Sequence, residues 1–178
     1  MGKTFESIDS QLEDWIEQQQ MFFVSTAPLA GDGLINCSPK GLESFRVLDP
    51  TRVAYADYNG SGIETAAHLQ ENGRIVVMLC AFQGPPRIVR LYGRGQYWKH
   101  STPEFEKLQA EFGIEGLRGI VTVDLTRIAD SCGYGVPKYD YVGQRQALTK
   151  WSDSKSPAEM VGYQEANNRT SLDGLPGI

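Results

Sequence analysis

The chain has 178 residues, 40% of them hydrophobic and 22% charged, with a formal net charge of −5. That length bounds one domain with a proper core, and the acidic balance argues against nucleic acid as a partner. No apolar run approaches the roughly 20 residues of a membrane helix, and Met1 to Asp9 carry a single Lys and no apolar segment, unlike a signal peptide; a cytoplasmic protein is expected.

In chain order, Ile8, Leu12, Trp15, Ile16 and Gln19 recur at helical spacing, which predicts an amphipathic helix over Ser7 to Gln20 with Ser7 placed to cap it. The β-rich run Met21 to Ala27 predicts a strand ending at Pro28. Gly31-Asp32-Gly33 turns it into a second strand, Leu34 to Lys40. Gly41 to Thr51 reads as a turn region, and Arg52 to Tyr58 as the third strand. A Gly-rich loop then opens a helix from about Ser61 to Glu71, which Asn72-Gly73 stops. Arg74 to Phe82 is nearly all apolar and predicts a central strand; Arg87 to Trp98 predicts a long one, with Val89 and Leu91 on one face and Arg90, Tyr92 and Arg94 on the other. Gly93 and Gly95 permit a bend or a close approach. Thr102-Pro103 opens a helix facing inward through Phe105, Leu108 and Phe112. Gly119 to Ala129 is the sixth strand. Asp130 to Arg145 reads as a Tyr- and Gly-rich loop, Gln146 to Asn167 as one or two short helices interrupted by Pro157, and Ser171 to Ile178 as extended. Strands without regular βα alternation predict a mainly β fold with added helices, an antiparallel β-barrel in one domain spanning residues 1–178. Its core covers about 21–136, and a C-terminal extension of about 137–178 packs on the barrel or on a partner subunit.

Two features could hold a phosphate. Asn36, Ser38 and Lys40 alternate by two and share one face of their strand, where an ammonium with neighbouring hydrogen-bond donors suits an anion. A solvated turn lysine is the plain alternative. The loop Tyr58-Asn59-Gly60-Ser61-Gly62 opens a helix, whose unpaired N–H groups attract anions. Against that, Ser61-Gly62-Ile63-Glu64 also reads as a capping box, with Glu64 opposing an anion and Thr65 left as a donor one turn on. Arg90 and Arg94 could bind an anion or pair with carboxylates, including carboxylates across a subunit boundary. His68 and His100 are too isolated for a metal site, and His68 reads as structural. Cys37, Cys80 and Cys132 form no CxxC pair and are expected to be reduced and mostly buried, Cys132 included.

The succession FFVSTAP, INCSPKG, RVAYADYNGSG and RIVRLYGRG resembles the pyridoxamine 5'-phosphate oxidase-like family of FMN-binding split barrels, over most of Phe22 to Val136. The resemblance implies a six-stranded split barrel that forms a homodimer with FMN in clefts between the subunits. It also implies that Asn36, Ser38, Lys40, Tyr58, Ser61, Gly62 and Thr65 hold the cofactor phosphate or ribityl oxygens, and that the long strand, with Arg90 and Arg94, contributes from the other subunit. The chain departs from true pyridoxamine phosphate oxidases. It has Gly62-Ile63 in place of a basic pair at the helix start, Ile88 in place of a glutamine, and no histidine in its tail. The vitamin substrate is therefore set aside. What the resemblance implies is an FMN-dependent oxidoreductase of unknown substrate, or else a non-catalytic module for FMN, another flavin or haem.

Overall fold

The structure, a computed structural model, describes residues 2–178. It is a mainly β protein with added helices, built on one antiparallel sheet of eight strands rather than six. The elements run β1 (Thr4–Phe5), α1 (Ser10–Glu17), β2 (Phe22–Thr26), β3 (Asn36–Lys40), β4 (Phe45–Asp49), β5 (Arg52–Asp57), α2 (Glu64–Asn72), β6 (Arg74–Cys80), β7 (Ile88–Lys99), α3 (Pro103–Phe112), β8 (Gly119–Ser131), α4 (Ala147–Asp153) and α5 (Pro157–Asn167). The strands missed by periodicity are β1, only two residues long, and β4, which lies inside the expected turn region.

The strand order is β3-β2-β6-β7-β8-β5-β4, with β1 added along β8. The sheet curls into a half-barrel whose two edge strands, β3 and β4, leave an open seam. Its concave face is filled by Val24, Val53, Tyr55, Val77, Leu91, Val121 and their neighbours, with α1 contributing Leu12 and Ile16. The opposite face of β5 and β8 buries Ala54, Ala56 and Ile120 against Phe105 and Phe112 of α3. Alternation along β8 changes phase at a bulge: Tyr92 pairs with Arg127 and Gly93 with Leu125, leaving Thr126 unmatched. Val121 and Val123 therefore share their face with Ile128 rather than with residue 127. Both strand glycines serve close approach. A Cβ on Gly93 would lie 2.3 Å from Asp124 O, and one on Gly95 would lie 2.7 Å from Leu69 of α2.

Several helix ends differ from expectation. Asp9, not Ser7, caps α1, its carboxylate accepting from Leu12 N at 2.8 Å. Thr102 and Pro103 open α3 as the sequence predicts. Pro157 starts α5 rather than interrupting it, beneath a Ser156–Glu159 capping box. The final segment is not extended. Ser171 N donates to Leu175 O, Gly174 N donates to Ser171 O, and Thr170 bridges Pro176, with Gly174 at φ +75° making the turn.

Candidate binding cleft at the sheet seam

Strand pairing sets the direction of the polar row on β3. Asn36, Ser38 and Lys40 lie opposite Thr26, Val24 and Phe22, which are buried, so all three turn toward the concave side while Cys37 and Pro39 face out. The row lines a cleft of about 300 Å³ along the seam. Across it stand Asp57 and Tyr58 at the end of β5, the loop to α2, and Thr65 on the first turn of α2. Asn36 Nδ2 donates to Thr65 Oγ1 at 2.9 Å and to Thr26 Oγ1 at 3.2 Å, and Ser38 Oγ donates to Asn36 Oδ1 at 2.8 Å. Of the sequence-predicted residues, the fold therefore gathers Asn36, Ser38, Lys40, Tyr58, Gly62 and Thr65 around one space.

Lys40 is not a solvated turn lysine. Its Nζ lies 3.2 Å from Asp57 Oδ1, spanning the seam from β3 to β5, with the lysine side chain 24% exposed and the aspartate 4%. The other oxygen of Asp57 accepts from Arg118 Nε at 3.0 Å, Arg118 Nη2 at 2.8 Å and Tyr97 Oη at 3.1 Å. Burial raises the pKa of the Asp57 carboxyl, but the charges on Lys40 and Arg118 and the hydrogen bonds they donate outweigh it and hold the group below the usual carboxylate range. Burial and then the Asp57 charge push Tyr97 and Tyr55 well above the usual phenol value. Tyr55, with Lys40 Nζ 5.9 Å from its ring centroid, keeps a buried hydroxyl without a hydrogen-bond partner among the described residues. Sequence reading passed over both Asp57 and Arg118. The signal was an acid closing the apolar strand RVAYAD and a base just ahead of the apolar GIVTV, since buried charges of opposite sign demand each other.

The helix start also differs from the capping-box reading. Ser61 caps nothing; α2 begins at Glu64 with Ile63 at the cap position and no side-chain cap. Glu64 instead accepts from Leu172 N at 3.4 Å, at the far end of the chain. Ser61 lies in the loop beside the cleft rather than in its wall. The amides of Ser61, Gly62 and Ile63 donate to no protein group among the described residues, the condition that favours an anion there. The loop's carbonyls, by contrast, are taken. Arg118 Nη1 donates to Gly60 O at 3.0 Å and Gly62 O at 2.8 Å, and Asn168 Nδ2 donates to Gly60 O at 2.9 Å. Gln164 reaches Asn59 Oδ1 at 2.6 Å. The C-terminal segment thus clasps the outer side of the loop. Buried His68 accompanies it, its Nδ1 2.9 Å from Thr26 Oγ1 and its Nε2 3.8 Å from Asp173.

Arg90 and Arg94 do not reach this cleft within the chain. Arg90 Nη1 donates to Ser131 Oγ at 3.0 Å and Arg94 Nη1 to Asn72 O at 2.8 Å. Only Cys80 is buried; Cys37 and Cys132 are exposed, contrary to expectation, because Cys37 points off the convex side of an edge strand and Cys132 follows the last strand. A second, wider cavity of about 1450 Å³ adjoins the cleft, sharing Pro39, Lys40, Gly41, Leu42 and Leu148 with it. Its walls include Trp15, Phe82, Tyr139 and Arg87, the last 5.0 Å from the Trp15 ring centroid and paired with Asp130 at 3.1 Å. No helix among the described residues is long and apolar enough to cross a membrane.

Comparison with known proteins agrees with this architecture. The family profile described as pyridoxamine 5'-phosphate oxidase matches residues 8–130. A pyridoxamine 5'-phosphate oxidase family protein of Aspergillus flavus, ustO, is 40% identical over 192 aligned positions, covering 98% of this chain and 77% of its own length. Among solved structures, the HupZ protein of Group A Streptococcus superposes with a TM-score of 0.55 at 20% identity, over 68% of this chain and 91% of its own. A putative pyridoxamine 5'-phosphate oxidase from Lactobacillus delbrueckii gives 0.54 at 15% identity, over 71% and 98%. These two establish likeness of fold alone. The match along residues 8–130 and the 40% identity across nearly the whole chain establish more: the chain belongs to the pyridoxamine 5'-phosphate oxidase family.

Proposed function

We propose that this chain is a flavin-binding oxidoreductase of the split-barrel type, with FMN as its cofactor and a substrate other than the vitamin phosphate. One observation carries the reading: the Asn36–Ser38–Lys40 row faces the Tyr58–Gly62 loop and Thr65 across a single cleft. The residues present fit a flavin's ribityl arm. Asn36, Ser38 and Thr65 offer amide and hydroxyl oxygens, and the loop amides of Ser61 and Gly62 are unpaired. The adjoining cavity has the aromatic walls that a planar ring requires. When bound, the flavin supplies the hydride and electron transfer, and the protein supplies binding, orientation and exclusion of water. Arg90 and Arg94 are assigned to a partner subunit's site, in a homodimer whose clefts are completed by the long strand of the second copy.

A non-catalytic carrier is the second reading. It is favoured by the full internal pairing of Asp57, Lys40 and Arg118, which leaves no free acid or base at that end of the cleft. Visible absorption of the purified protein, before and after addition of FMN and desalting, tests cofactor binding. Retention near one flavin per chain supports the flavoprotein, and a colourless protein overturns it. Reduction of the bound flavin by a nicotinamide cofactor, followed by reoxidation by an acceptor, separates the enzyme from the carrier. Lys40→Ala, which leaves Asp57 and Glu64 facing Arg118 alone, is expected to weaken FMN binding by about tenfold or more; unchanged affinity by fluorescence titration would remove Lys40 from the site.

A further inference from the structure

We infer that Asp57 makes this cleft a receptor for the uncharged ribityl chain of a flavin and nearly indifferent to the terminal phosphate. The inference rests on the flavin reading above and concerns what the cleft recognises in that ligand.

The charges that line the cleft are Lys40 and Arg118 against Asp57 and Glu64, a sum of zero. Neither cation is free. Lys40 already points at Asp57 Oδ1, and Arg118 is divided between Asp57 Oδ2 and the carbonyls of Gly60 and Gly62. Asp57 thus occupies, as a resident carboxylate, the place among the donors that a phosphate would take. An incoming dianion would have to compete with it for Lys40, and would do so in the field of two fixed negative charges. Glu64 sets a carboxylate on the first residue of α2, where it opposes an anion drawn to the helix's positive end, and Leu172 N donates to it at 3.4 Å.

The neutral part of the lining is suited to hydroxyl groups. Asn36 Oδ1, Thr65 Oγ1 and the Glu64 carboxylate can accept further bonds, while Asn36 Nδ2 and the Ser38 and Ser44 hydroxyls already donate within the protein, so the donors left to a ligand are the Thr65 hydroxyl and the loop amides. A polyol both donates and accepts and can satisfy the whole set; an ionised phosphate only accepts. Asp57 stays ionised at neutral pH, because its carboxyl is held below the usual range, so the neutral balance holds in working conditions.

The test is a fluorescence titration of the full chain with riboflavin and with FMN, at low and high salt, for the wild type and Asp57→Asn. The wild type should bind the two flavins within tenfold of each other, with FMN affinity nearly flat in salt. Asp57→Asn, which unbalances the cleft by one positive charge, should shift the preference toward FMN by about tenfold and make that binding salt-sensitive. A wild-type preference for FMN of tenfold or more overturns the inference, as does an Asp57→Asn chain that folds and leaves the preference unchanged. If Asp57→Asn does not fold, the wild-type ratio and its salt dependence decide. Failure to bind either flavin overturns the flavin reading itself and this inference with it, an outcome distinct from tight, phosphate-dependent binding.

Discussion

The narrow cleft and the wide cavity share Pro39, Lys40, Gly41, Leu42 and Leu148, yet they are held in opposite ways. Around the cleft the charged side chains of Lys40, Asp57 and Arg118 and the Gly60 carbonyl all have partners inside the protein, drawn from β3, β5, β7, the approach to β8 and the C-terminal tail. Around the cavity, the segment from Cys132 to Gln146 has no regular secondary structure and exposes Tyr134, Tyr139 and Val142, the last at 98%. It is tied back through isolated contacts such as Tyr139 N to Phe82 O and Gln144 Nε2 to Gln20 O. The cleft is pre-organised, which favours a fixed recognition of shape and charge. The cavity wall has few such ties, and a loop of that kind on a fixed scaffold tolerates change more readily than the elements it connects.

This contrast is open to direct measurement. The largest effect is expected from Arg118→Ala, which strands buried Asp57 with a single exposed-end cation; removal of one partner from a buried pair costs about 3–5 kcal/mol, or a fall of about 10 °C in Tm for a chain of this size. A smaller loss would mean that the cleft relaxes and is less pre-organised than its bonds indicate. Acidification should act on the same group. Asp57 has a folded-state pKa below its unfolded value of 3.8, so its stabilisation is complete above that value and is lost as pH falls through the lower folded value. Urea unfolding followed below pH 4 should show this loss in the wild type and a flatter profile in Asp57→Asn. The smallest effect is expected at the cavity. Gln144→Ala removes one exposed neutral hydrogen bond and should cost under about 1 kcal/mol. A cost equal to that of Arg118→Ala would erase the distinction between the two recesses.

What the sequence made legible divides along another line, between local pattern and distant contact. The period of two placed Asn36, Ser38 and Lys40 on one face, and pairing with β2 puts that face toward the core. Local chemistry also marked Gly73 as the left-handed stop of α2 and Thr102-Pro103 as the start of α3. Local pattern failed where a distant group changed the outcome. Ser61 and Glu64 have the spacing of a capping box, but Leu172 claims the glutamate and the helix starts later. Asp57 looks like the last residue of a strand until Arg118, 61 residues on, reaches it. FRVLD was absorbed into a turn region because its strand character depends on pairing with β5 rather than on alternation. The bulge at Thr126 cannot be read from β8 alone, since it exists only in register with β7.

The clasp on the Gly60–Gly62 loop also bears on how the protein matures. Gly60 O is held by groups 58 and 108 residues further along the chain. Contacts across such separations form late, because the intervening loops must close first. During synthesis the loop leaves the ribosome well before Arg118 and long before Asn168. The sheet itself needs only β8 to join β7 to β5. A nascent chain can therefore possess its curled sheet, with Arg118 already on Gly60, while the tail's hold on the loop is still missing, and the clasp closes only once Asn168 has been translated.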